Sequence, residues 1–171
     1  MEKRNKIVLG GGCFWCAEAV FALQKGVISA TCGYAGGETP NPTYEQVSNG
    51  ETGHAEVVEI EYDPSIASLS AILKTFFAMH DPTSLNRQGN DVGTQYRSAI
   101  YWTDEEQKKE IENYLTMLKS EYTQPIVTEI KLLDKFYKAE EYHQRFFEKN
   151  PNQAYCQAVI APKVENFKKS L

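Results

Sequence analysis

Much that would mark a specialised protein is missing from this chain of 171 residues. No apolar run approaches the ~20 residues of a membrane span, and no stretch of signal-peptide length follows the basic start MEKRNKIVLGGG. No repeat and no low-complexity tract occurs, which excludes solenoids and linkers. Basic charge is scarce: 18 Lys and Arg stand against 23 Asp and Glu, for a net charge of −5. The one basic cluster, Lys163, Lys168 and Lys169, has the spacing of a solvated helix face rather than of a nucleic-acid surface. Cysteine is sparse as well, four in all, too few to replace a core. His54, His80 and His143 are scattered, and the one Cys-x-x-Cys has no second pair at finger spacing, so a zinc site is poorly supported. Gly10-Gly11-Gly12 runs into Cys-Phe-Trp, not into the GxGxxG or GK[ST] of a nucleotide loop. We expect a single domain over 1–171, cytoplasmic and monomeric, with thiols reduced at rest, no metal, and no nucleic-acid or membrane partner.

What is present is an ordinary globular balance, 42% hydrophobic and 24% charged, enough for one sizeable core. Lys6–Leu9 reads as a strand stopped by three glycines, Phe14–Lys25 as a helix terminated by Gly26, and Val27–Gly33 as a second strand. A Gly/Pro-rich passage from Gly33 to Gly53 reads as a long functional loop. Ala55–Tyr62 alternates, with Val58, Ile60 and Tyr62 on one face and Glu59 and Glu61 on the other. Leu69, Ile72, Leu73, Phe76 and Phe77 make the stripe of a core-facing helix capped by Ser68. A second polar loop runs from Asp81 to Arg97, and Ser98–Trp102 is a strand. Thr103–Glu106 has the form of a capping box for a helix to about Glu121. Val127–Leu133 alternates, Lys138–Lys149 reads as a helix, and the last twenty residues as a tail over the domain. The β-α-β-β-α-β order predicts an α+β fold: a ferredoxin-like two-layer α/β sandwich with a mainly antiparallel sheet, long functional loops and that C-terminal tail.

Chemistry concentrates where the glycines end. A thiol at Cys13 sits at a helix start, beside unpaired backbone N–H groups and the positive end of the helix dipole, which predicts a lowered pKa and a nucleophilic thiolate. Phe14 and Trp15 follow at once and can wall an apolar pocket beside the sulfur. Cys16, one turn on, faces the core by its helix position, and Cys32 lies within a strand. The ordinary reading of a glutamate at a strand start, such as Glu56, is a solvated one, and a loop such as Asn86–Arg97 ordinarily bonds to itself. Cys13 and Cys16 together also admit a thioredoxin-like dithiol, though two aromatics between them and the strand order fit it poorly.

The segments GCFWCAE, GYAGG, PTYEQV, TGHAE, HDPTSLNRQGNDVGTQYRSAI and AEEYHQRFFEKNPNQAYC, in this order from about Ile7 to Lys168, resemble the peptide methionine sulfoxide reductase A family. The resemblance implies reduction of methionine S-sulfoxide, free or in proteins, with Cys13 as nucleophile and Phe14 and Trp15 receiving the substrate methyl group. Glu56 would protonate the sulfoxide oxygen, Tyr44 and Tyr96 would hydrogen-bond it, and Asp91 would organise the site. Attack would leave sulfenic acid on Cys13, to be resolved as a disulfide by Cys156, with Cys16 the alternative, and recycled by thioredoxin, or by dithiothreitol in vitro, with no bound cofactor. The longer tail with a further cysteine found in many members is absent, and Cys32 receives no role.

Overall fold

The structure is a computed structural model that describes residues 4–171. Its central sheet has six strands in the order β7-β6-β1-β3-β2-β8, formed by β1 (Asn5–Gly10), β2 (Val27–Ala35), β3 (Ala55–Tyr62), β6 (Ala99–Trp102), β7 (Glu129–Leu132) and β8 (Phe136–Lys138). Every pairing is antiparallel except β6 with β7, which is parallel. The fold is therefore mixed α/β on a mainly antiparallel sheet. A separate two-stranded ribbon pairs β4 (Arg87–Gln88) with β5 (Asp91–Val92).

Strand alternation decides what lies on each face. Ile7, Leu9, Val58, Ile60, Tyr62, Ile100 and Cys32 face the helices and make the main core with α1 (Phe14–Phe21), α3 (Leu69–Met79), α4 (Glu105–Leu118) and α6 (Ala161–Lys169). Val8, Val57, Ala55, Ala99 and Tyr101 point the other way, where Leu133 and Phe136 cover them. The Ser68 side chain caps α3 by accepting from the Ala71 N–H at 3.1 Å, and the apolar stripe of α3 is buried as its spacing requires.

Several expectations need correction. The passage after Gly33 is not structureless: it holds α2 (Tyr44–Ser48), closed by a Thr43–Gln46 capping box. The polar stretch 81–97 contains the β4–β5 ribbon and a 3-10 turn over Thr94–Tyr96. Helix α1 stops at Phe21 and α4 at Leu118, and the N-cap of α4 is Asp104 rather than Thr103. The helix read over Lys138–Lys149 is broken into the end of β8, a 3-10 turn over Glu141–His143 and a short α5 (Phe146–Lys149). The polar side chains explain the break. Glu140 and Gln144 bond to groups of α2 and β2, and Arg145 takes a left-handed φ of 55°, so the apparent helical period serves other contacts. Beyond Pro151 the chain is helical: a π-helical stretch Cys156–Ile160 leads into α6, and Cys156, Ile160 and Val164 enter the main core.

Candidate active site

The site begins at the end of β1. Gly12 has φ of 90°, and a Cβ on Gly11 would lie 2.9 Å from the His80 ring, so side chains are excluded where the strand hands over to α1. Cys13 is the N-cap residue of that helix and is partly exposed, while Phe14 behind it is buried. The Phe14 backbone N–H, one of the orphan donors of the helix start, donates to Glu56 Oε1 at 3.1 Å.

Glu56 is the second residue of β3, in register with Tyr34 of β2, and is 1% exposed. It points to the same face as Val58 and Ile60, which makes it a carboxyl on the core side of the sheet, contrary to the solvated reading. Burial pushes its pKa up to about 8; the Phe14 N–H opposes the rise, and the charges of Asp91 and Cys16 add to it. At neutral pH it is a protonated acid.

The thiol of Cys13 corrects a second expectation. Its pKa lies well above that of a free cysteine, first because it is desolvated, then through its bond to Cys16 and the nearby Glu56. A helix dipole is worth roughly 0.3–1 kcal/mol in its first turn, whereas burial can move a pKa by up to about 3–5 units. Desolvation wins. Cys16, 1% exposed, is pushed the other way, chiefly by the hydrogen bond with Cys13.

Around this pair the structure gathers the aromatic residues singled out by sequence. Phe14 packs with Tyr44 at 6.3 Å between ring centres and with Tyr34 at 5.7 Å. The hydroxyls of Tyr44 and Tyr96 are held neutral, in both first by burial and then by the nearness of Glu56. Trp15 lies flat on Phe146, 3.7 Å and 5° from parallel, and donates from Nε1 to His143 Nδ1 at 3.0 Å. Burial keeps His143 neutral, and its Nε2 is buried without a partner among the described residues. Asp91 sits beyond Cys13 and accepts from the Tyr155 hydroxyl at 2.8 Å; that hydroxyl is 3.9 Å from Cys16 Sγ. Cys13, Gln88, Asp91, Tyr155 and Lys163 line a cleft of about 500 Å³.

Cys156 is fully buried and follows Tyr155 directly, and burial raises its pKa, with the charge of Cys16 as the second cause. All four cysteines are free thiols. Sequence reasoning missed Tyr155, His143, Phe146, Glu140 and Glu18. Glu140 takes the Tyr34 hydroxyl at 2.8 Å and the Tyr44 N–H at 2.9 Å, and so ties β2 to α2. Glu18, 3% exposed, is pushed up to about 7 by burial. The segment AEEYHQRFFEKNPNQAYC held most of this signal, but a helical reading hid it. Among the described residues, no group of three or more His, Cys, Asp or Glu is placed to hold a metal, and no helix is long and apolar enough to cross a membrane.

The family model "Peptide methionine sulfoxide reductase" matches residues 5–171. The chain belongs to that family. A peptide methionine sulfoxide reductase MsrA of Nautilia profundicola is 58% identical over 164 residues, covering 96% of this chain and 94% of the relative. The reduced form of Mxr1 from Saccharomyces cerevisiae superposes with a TM-score of 0.85 at 35% identity, over 90% of each chain. The same yeast protein in complex with Trx2 gives 0.61 at 25% identity, over 84% of this chain and 85% of that one.

Proposed function

We propose that this member of the family reduces methionine S-sulfoxide, free and in proteins, by thiol chemistry at Cys13. The observation that carries the reading is the Glu56 carboxyl, buried and bonded to the N–H of Phe14, next to the residue bearing the thiol. A sulfoxide oxygen leaves only when protonated, and Glu56 at a pKa of about 8 supplies that proton. The thiol sulfur attacks the sulfoxide sulfur and forms an S–S bond; the protonated oxygen then passes to the Cys13 sulfur as hydroxyl, and both the S–O bond and the new S–S bond to methionine break. Oxygen ends on Cys13 as sulfenic acid, methionine leaves, and the thiol proton restores Glu56. In sum, thiol plus sulfoxide gives sulfenic acid plus sulfide, with no atom or electron left over. Phe14 and Trp15 form the apolar wall for the substrate methyl group, Tyr44 and Tyr96 donate to the oxygen, and Asp91 with Tyr155 orders the cleft beside Cys13.

The sulfenic acid then condenses with a second thiol and releases water. We assign that role to Cys156, the neighbour in sequence of Tyr155, whose side chain lines the cleft. A second reading, Cys16, is favoured by its place one helical turn on, where its backbone N–H donates to the Cys13 carbonyl at 3.2 Å. The resulting disulfide is returned to dithiol by thioredoxin, as the Trx2 complex of the yeast relative supports, and the site needs no bound cofactor. The strand order β6-β1-β3-β2 supports reading the core as a ferredoxin-like sandwich, with the chain beyond Asn150 as a tail laid over its helical layer. One catalytic domain, monomeric and cytoplasmic, completes the proposal.

One experiment tests these assignments. Reduced protein is given one equivalent of each methionine sulfoxide epimer without external reductant, methionine is counted, and the cysteine linkages are mapped. The expected result is one methionine per protein from the S epimer only, with a Cys13–Cys156 linkage. A Cys13–Cys16 linkage moves the resolving role to Cys16, and turnover by Cys13→Ser contradicts the mechanism.

A further inference from the structure

Helix α1 carries a second buried carboxyl that the reaction does not use. Glu18 lies three residues beyond Trp15, on the same side of the helix. Its Oε1 accepts the backbone N–H of Arg145. Arg145 is the left-handed residue, φ 55°, that turns the chain from the His143 turn into α5. Immediately after it comes Phe146, stacked on Trp15, and two residues before it His143, bonded to Trp15 Nε1. A further polar anchor of the segment, Gln144, bonds to Cys32 and Ala139, and so fastens it to the sheet rather than to α1. Glu18, Ala22, Arg145, Phe147 and Val164 border a half-open pocket of about 380 Å³ at this joint, so α5 is packed on one side only there.

We propose that Glu18 is a positioning residue for the substrate-methyl pocket: by holding the Arg145 N–H it sets the turn that lays Phe146 on Trp15. The proposal rests on the reading of Trp15 as a pocket wall. A wall that contacts substrate equally before and during attack governs how tightly substrate binds, not how fast the bound complex reacts.

The test uses Glu18→Gln and Glu18→Leu in a Trp102→Phe background, which leaves Trp15 as the only tryptophan. Gln keeps an acceptor at the same reach, while Leu fills the space without one, so neither leaves a void. Glu18→Leu is expected to raise the sulfoxide concentration for half-maximal single turnover about tenfold and to keep the saturated rate within about twofold. It should also shift the emission of Trp15, whereas Glu18→Gln matches the parent in all three readouts. Added to Phe146→Ala, Glu18→Leu should change nothing further, as expected of two residues acting through one contact. Parental half-saturation and emission in Glu18→Leu would overturn the assignment, as would a Glu18→Gln enzyme damaged to the same degree. Emission is read without substrate, so it tests the clamp even if the parent does not reduce sulfoxide, a failure that belongs to the functional reading alone.

Discussion

Two glutamates on the same sheet show how partners, not burial alone, set the character of a carboxyl. Glu129, on the β7 edge, is also drawn in from solvent, and burial works to raise its pKa. Yet it accepts from the Tyr101 hydroxyl at 2.6 Å and from Arg97 and Lys131 at 3.0 Å each, and these donors bring it below the ordinary carboxylate value. Glu56, at the start of β3, has one backbone N–H and, among the described residues, no cation in an ion pair with it. The first is an ionised strut that closes an edge of the sheet. The second is pushed above the ordinary carboxylate value by burial, the state the proposed reaction calls for, in which the oxygen leaves protonated.

If the contrast holds, removing the acid is the most damaging change. Glu56→Ala should slow methionine formation in a single turnover by about 10²–10⁴-fold, the usual loss for a general acid. A rate within a few-fold of the parent would remove the role. The next effect is on stability. Glu56, at about 8, binds a proton in the folded chain that an unfolded glutamate releases above pH ~4.5. The folded state therefore holds more protons across that window, and stability falls as pH rises through it. His80, buried neutral at about 4, works in the opposite direction below pH ~6.5, so the comparison must be with Glu56→Gln. Between pH 5 and 8 the parent should lose up to roughly 4 kcal/mol relative to that variant in urea unfolding. Parallel curves would mean that Glu56 is ionised in the fold. The smallest change is expected at the other carboxyl. Glu129→Gln should cost about 1–3 kcal/mol of stability through its donors, while the single-turnover rate stays within about threefold.

Sequence made one side of this site legible and hid the other. Cys13, Phe14 and Trp15 announce themselves because glycines ending a strand before a helix are local features, and the paired thiol–aromatic signal lies in consecutive residues. The strand Ala55–Tyr62 and the Ser68-capped helix were equally plain, since alternation and capping are also local. Glu56 was not: its position at a strand start gives no hint of burial, and only the family resemblance singled it out. The direction of the Cys13 pKa was misread because the helix start is visible in sequence and desolvation by distant segments is not. His143, Phe146 and Tyr155 escaped for a related reason. They reach Trp15 and Asp91 from more than sixty residues away, through contacts of 3.7 Å with Trp15 and 2.8 Å with Asp91 among others. A helix-like spacing over Lys138–Lys149 concealed the left-handed turn at Arg145 that makes those contacts possible.

The central claim is that Glu56 stands protonated beside Cys13 in the resting protein. Isotope-edited infrared spectroscopy, with the glutamates labelled and Glu56→Gln as the difference partner, reads its carboxyl directly across pH. The account predicts a protonated C=O band that persists at neutral pH and disappears with a midpoint near 8. A carboxylate band already complete by pH 6 would contradict it.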